Sequence, residues 1–238
     1  MRNLIVEIGN TALKAAWTEG LTLENTYRYQ GEDMFSYVIS LTEKERPATM
    51  VIASSIRIDA DDEAVLANAC DRLVVLDGRP SDVFIKRGVP GYISSDRAAS
   101  LVAARHLFKG KGCLVFDFGT TVSIDILDSE GAYEGGNLSL GLRPRFFAMN
   151  RYSRNLPLLD VPDTLRQTGN SVATSIESGV VSGIMFEIQG YLSLFPEKIV
   201  VFTGGDANYF AKRMKNAIFV ICNLVLMGLA LIADEYGN

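Results

Sequence analysis

Short apolar runs alternate with amphipathic segments along the first third of the chain: L-I-V-E-I, A-L-K-A-A-W, M-F-S-Y-V-I-S-L, T-M-V-I-A-S-S-I and R-L-V-V-L-D-G. Strand-length runs interleaved with helix-length ones predict an α/β chain. From Asp77 to Ser95 the pattern lapses into D-G-R-P-S-D-V-F-I-K-R-G-V-P-G-Y-I-S-S, about nineteen residues rich in Gly and Pro. That is longer than a plain connector and predicts a binding loop. Helical patterning resumes at residues 96–108, D-R-A-A-S-L-V-A-A-R-H-L-F, with Ser94 or Ser95 placed to cap it. The helix runs out at K-G-K-G, where a domain boundary is expected, giving residues 1–108 and 109–238.

The second half repeats the order of the first. V-F-D-F-G-T-T at 115–121 restates I-V-E-I-G-N-T at 5–11, with Glu7 aligned to Asp117, Gly9 to Gly119 and Thr11 to Thr121. A strand V-S-I-D-I-L, a turn at D-S-E-G, a basic and aromatic helix, a helix around S-I-E-S-G-V-V-S-G-I-M-F-E-I-Q-G-Y-L and a strand K-I-V-V-F-T follow in turn, the last ending at Gly204 and Gly205. Two similar halves imply an internal duplication. The uncharged run from Ala217 to Ala233 is shorter than the ~20 apolar residues of a membrane span. Asn223 and Gly228 interrupt it, so it reads as a buried strand followed by a buried helix, and no membrane association is expected.

Composition narrows the function classes. Hydrophobic residues make up 48% of the 238 and charged residues 21%, which describes a chain with a real core and not a disordered one. A net charge of -5 argues against a phosphate-binding nucleic-acid surface, so no nucleic-acid partner is expected. Three widely spaced cysteines make neither a disulfide framework nor a zinc signature, and M-R-N-L-I-V-E lacks the apolar core of a signal peptide. Both point to a cytoplasmic protein. His106 is the single histidine and sits late in a helix, which leaves histidine-centred hydrolysis and zinc catalysis without support. Neither a P-loop nor a dinucleotide fingerprint is present.

The repeated turn carries chemistry of its own. Glycine opens backbone conformations closed to other residues and removes the side chain that would block a phosphate. The N–H groups and hydroxyls that follow it then point at phosphate oxygens. A carboxylate two residues upstream would repel phosphate unless a cation lies between them, commonly hydrated Mg²⁺ held by one or two carboxylates and the phosphates themselves. One copy is an ordinary hairpin signal. Two copies at matching places in duplicated halves suggest a two-sided grip on a metal-bound nucleotide.

Seven segments, in order over nearly the whole chain, resemble the type III pantothenate kinases of the acetate kinase, sugar kinase, heat-shock ATPase and actin superfamily. They are V-E-I-G-N-T-A-L-K at 6–14, S-S-D-R-A-A at 94–99, D-F-G-T-T-V-S-I-D at 117–125, G-G-N-L-S-L-G-L-R at 135–143, R-F-F-A-M-N-R-Y-S-R-N-L-P at 145–157, T-G-G-D-A at 203–207 and the closing L-V-L-M-G-L-A-L-I. The resemblance implies two ribonuclease-H-like, actin-like ATPase domains with a nucleotide cleft between them, and transfer of the ATP γ-phosphate to pantothenate, the first step of coenzyme A synthesis. It places Glu7, Ile8, Gly9, Asn10, Thr11 and Lys14 in a first phosphate turn, with Thr120, Thr121, Gly204 and Gly205 also on ATP. Asp117 would bind a monovalent cation, K⁺ or NH₄⁺, beside Mg²⁺, and Glu7 would share in organising the cations. Asp96 becomes the acceptor for the pantothenate hydroxyl, Arg97 a substrate contact with Ser94 and Ser95 beside it, and the assembly a homodimer.

Four positions depart from the family pattern. Glu7 stands where the family has Asp, Ser94 where it has Gly, and Val172, with Ser171 beside it, where a substrate-contacting Thr belongs. Arg87 occupies the place of a substrate-contacting Tyr, unless a gap in the loop brings Tyr92 there. These departures keep two other readings open: a kinase-like nucleotide-binding regulatory protein with weakened turnover, and a kinase for another small alcohol.

Overall fold

The computed structural model describes residues 2–79 and 81–237. The chain forms two compact units that are not continuous in sequence. Residues 1–109, 131–133 and 223–238 make the first, and residues 110–130 and 134–222 the second.

In the first unit, β1 (Arg2–Ile8), β2 (Leu13–Glu19) and β3 (Thr22–Tyr29) form an antiparallel meander, and β4 (Thr49–Ser54) and β5 (Arg72–Leu76) add in parallel beside β1. The sheet order is β3-β2-β1-β4-β5. Alternate residues of a strand point to opposite faces, so the run Leu4, Ile5, Val6 needs cover on both sides. Leu4, Val6 and Ile8 pack with Val38 of α1 (Met34–Thr42) and Leu66 of α2 (Ala60–Asn68). Also packed onto β1 and β4 is α8 (Leu224–Gly237), which lies against α4 (Ser95–Leu107). Asp59 caps α2, its side chain accepting from Asp62 N at 2.9 Å. The expected loop at 77–95 contains one short helix, α3 (Asp82–Ile85), started by Ser81, whose Oγ accepts from Val83 N.

The second unit repeats this plan. β6 (Cys113–Phe118) and β7 (Thr121–Leu127) are antiparallel, with β8 (Tyr133–Leu140) on the far side of β7. β9 (Ile199–Thr203) and β10 (Phe219–Val220) run parallel beside β6. The order β10-β9-β6-β7-β8 mirrors the first sheet, so the duplication is visible strand by strand. One face carries Phe116, Phe118 and Phe202, against which Phe210 stacks from α7 (Ala207–Ala211). Helices α5 (Leu142–Tyr152), α6 (Val172–Leu194) and α7 complete this core through Phe146, Ile184 and Phe210. Serine at 171 and threonine at 174 close a reciprocal capping box that starts α6.

The uncharged run at 217–233 divides into a strand and a buried helix, but the strand is only Phe219–Val220 and leaves Phe219 exposed instead of buried. Among the described residues no helix is long and apolar enough to cross a membrane.

Candidate active site

The first hairpin sets Glu7 directly opposite Lys14, its register partner, and Lys14 Nζ lies 3.2 Å from Glu7 Oε2. Gly9 N donates to Ala12 O at 3.1 Å, which closes a turn that leaves Asn10 and Thr11 exposed at its tip. Behind it, Ser55 N donates to Ile8 O at 2.9 Å, and the Ser55 hydroxyl lies 3.4 Å from Asn10 Oδ1. The Glu7 side chain is only 13% exposed. Burial pushes its carboxyl above the ordinary carboxylate range, Lys14 opposes the rise, and the negative charge of Asp96 adds to it. Glu7 and Asp96 are therefore electrostatic neighbours within one unit.

Asp96 occupies the first turn of α4, with Ser94 at the N-cap position and the Ser94 side chain making no capping bond. Ser95 is buried, and Arg97 Nη2 lies 3.4 Å from the Tyr133 hydroxyl. The loop before α4 separates the two candidates for the family's tyrosine. Arg87 bonds the Val83 carbonyl and pairs with Glu235 of α8, whereas Tyr92 stands 75% exposed.

In the second unit the matching hairpin is one residue tighter. Ile8 pairs with Leu13, but Phe118 pairs with Val122, and Gly119 N donates to Thr121 O at 3.0 Å. Asp117 consequently faces Ser123 in the register where Glu7 faces Lys14. Two glycines from distant segments close on this turn. A Cβ on Gly204, at φ +89°, would fall 2.3 Å from Asp117 Oδ1, and one on Gly141 would fall 2.0 Å from Gly119 O. Gly141 N donates to Thr120 O at 2.9 Å, Asp206 N to Phe118 O at 3.2 Å, and Arg143 Nη1 reaches Asp206 Oδ1 at 3.1 Å. Gly141, Arg143 and Asp206 escaped the motif reading as site neighbours. Their signal lay in the quoted G-L-R and T-G-G-D-A segments, which lead back to the turn only once β8 and β9 are folded.

Val172 is exposed at the start of α6. The nearby Thr174 is committed to that helix, its hydroxyl accepting from Asn170 N and Ser171 N at 3.0 Å each. Among the described residues no group of three or more His, Cys, Asp or Glu side chains could hold a metal ion.

A profile of type III pantothenate kinases matches residues 3–193. The type III pantothenate kinase of Cytophaga hutchinsonii is 33% identical over 238 residues, covering 95% of this chain and 96% of that protein. The type III pantothenate kinase of Bacteroides fragilis is 34% identical over 245 residues, covering 99% and 98%. In the fold alone, the ROK hexokinase of Thermus thermophilus superposes with a TM-score of 0.56 at 14% identity, all of each chain being covered. The match runs through both glycine hairpins and the α4 carboxylate, and this chain belongs to the type III pantothenate kinase family.

Proposed function

We propose that the protein phosphorylates pantothenate with ATP, giving 4′-phosphopantothenate, the first step of coenzyme A synthesis. The observation that carries this reading is family membership across residues 3–193, a span that includes both hairpins and Asp96. Phosphoryl transfer needs little covalent chemistry from a protein, because positioning and charge stabilisation do most of the work. The N–H groups and hydroxyls at Gly9–Thr11 and Gly119–Thr121 would hold phosphate oxygens, with Lys14, Gly204 and Gly205 beside them. Asp96 would accept the hydrogen bond of the pantothenate primary hydroxyl and take its proton, while Arg97 with Ser94 and Ser95 would orient the substrate.

Glu7 and Asp117 would hold the cations, Mg²⁺ and a potassium or ammonium ion, whose charge offsets that developing on the phosphates. Buried Glu7 and the Gly204-backed Asp117 both offer the hard oxygens such ions take. For the family's tyrosine, the exposed Tyr92 is the better occupant, because Arg87 already pairs with Glu235.

The assembly would be a cytoplasmic homodimer. Leu138 and Leu140 on β8, Phe147 on α5 and Phe186 on α6 are large apolar side chains exposed on the second unit, which a partner would cover. Light scattering on the purified protein reads the mass directly, and a monomer at micromolar concentration would overturn the dimer.

The test of the activity is ADP release with ATP, Mg²⁺ and potassium, with and without pantothenate, repeated with sodium. Pantothenate-dependent, potassium-stimulated release is expected. A protein that binds ATP yet shows no pantothenate dependence would instead be a nucleotide-binding regulator or a kinase for another alcohol, and a panel of small alcohols separates those two.

A further inference from the structure

Helix α4 presents Asp96 in its first turn, and the same helix is held from behind at two points by α8. One turn along from Asp96, the Ala99 backbone meets Gly228: a Cβ there would fall 1.9 Å from Ala99 O, 2.5 Å from its carbonyl carbon and 3.0 Å from its Cα. All three are backbone atoms, so no side-chain rotation relieves the clash. The neighbouring faces are small or apolar and fully packed, with Ala98, Ala99 and Ala103 on α4 and Leu229, Ala230 and Ile232 on α8 almost completely buried. The second point is Glu235, which pairs with Arg87 in the loop leading into α4.

We propose that α8 is the positioning element for the α4 carboxylate, with Gly228 as its positioning residue and the Glu235–Arg87 pair as its secondary tie. The proposal rests on the reading of Asp96 as the hydroxyl acceptor. Helix α8 also packs on β1 and β4, and its two specific contacts, at Ala99 and Arg87, fall on α4 and the loop before it. Any side chain at 228 forces the two helices apart by about an ångström, since carbon and oxygen approach no closer than ~3 Å. A misplacement of that size can cost a rate of about 100-fold even when the displaced residue is remote from the chemistry. Loss of Glu235 acts more gently, because a surface ion pair holds its partners weakly.

The test compares Gly228→Ala, Asp96→Asn and the double variant. Gly228→Ala is expected to lower kcat about 100-fold while leaving the KM for ATP within about twofold. In that background Asp96→Asn should cost far less than it does alone, because a carboxylate already out of place has little left to lose. Multiplicative effects of the two changes, or a kcat near wild type, would overturn the proposal.

Where Gly228→Ala does not fold, the ion pair decides. Arg87→Glu should lower kcat several-fold, and Arg87→Glu combined with Glu235→Arg should restore it; a swap that restores nothing overturns the tie and returns Arg87 to direct substrate contact. Backbone hydrogen exchange gives a readout independent of turnover. Faster exchange over residues 95–99 in Gly228→Ala, with β1 and β2 unchanged, supports the clamp, and unaltered α4 exchange overturns it. A wild-type protein without pantothenate-dependent turnover would remove the kinase reading while the exchange experiment still judges the clamp.

Discussion

Lys14 and Glu7 face each other across the first hairpin at 3.2 Å, and that ion pair restrains a carboxyl which burial drives upward. Its raised folded-state pKa means that the folded chain binds more protons than the unfolded one between the ordinary Glu value and the raised one. Stability contributed by this group accordingly falls as pH rises through that window. The cation role proposed for Glu7 needs the ionised form, so on that reading activity should fall as pH drops through the raised value. Lys14→Met deletes the interaction that lowers the pKa, and the acid limb of kcat/KM for ATP should move to higher pH. A pH–rate profile whose acid limb stays in place would show that Glu7 does not limit activity.

Asp96→Asn keeps the size and much of the hydrogen bonding of the side chain while removing its ability to accept a proton. A loss of turnover of about 100- to 10,000-fold is expected, the usual contribution of a general base. Nucleotide binding, followed by calorimetry with a non-hydrolysable ATP analogue, should change little. Full turnover in Asp96→Asn would exclude it as the acceptor.

Gly204 and Gly205 look equivalent in the sequence but differ in what surrounds them. Alanine at 204 must adopt φ +89° and meets Asp117 Oδ1 at 2.3 Å, whereas nothing lies within 4 Å of a Cβ at 205. Gly204→Ala should therefore cost about 1–3 kcal/mol of stability in urea unfolding without ligand, and Gly205→Ala about 0.5 kcal/mol or less. Should Gly205 approach the nucleotide, its substitution will weaken ATP binding and leave the ligand-free stability intact. Equal destabilisation by both would contradict this placement of the second turn.

Much of this arrangement was legible in residue order. The repeat of carboxylate-x-Gly marks two hairpins, and both appear at the ends of β1 and β6. The helix that carries Asp96 was readable from its period, and Ser94 does occupy its N-cap position. What escaped was non-local. The apolar stretch of α8 has cover on every side, so its period names no partner, and only the folded chain brings it onto β1, β4 and α4 of the first unit. The one-residue difference between the hairpins was also hidden, because the motifs align through Thr11 and Thr121 and diverge only in strand register. Arg87 stands in the place of the family's tyrosine, and its pairing with Glu235, far along the chain, is visible only in the fold.

Asp77 anchors the loop beneath the first turn. Its side chain is fully buried at the end of β5, with Oδ2 accepting from Ile58 N at 3.0 Å and Oδ1 from Arg79 Nε at 2.7 Å. Burial alone would raise its pKa, but the Arg79 hydrogen bond, the Ile58 N–H and the Arg79 charge outweigh that and hold it below the ordinary value. A depressed carboxylate contributes stability that is present above its unfolded pKa of about 3.9 and is lost as pH falls through the folded value. Asp77→Ala leaves the buried Ile58 N–H without its acceptor, which should cost about 1–3 kcal/mol in urea unfolding at neutral pH. It should also flatten the acid side of the stability profile. The loop from Ser55 to Ile58 joins this anchor to Ile8 O at the base of the first hairpin turn. A weaker ATP affinity in Asp77→Ala, beyond what its unfolded fraction explains, would show that the anchor also sets the turn, whereas affinity unchanged in the folded fraction would confine Asp77 to stability.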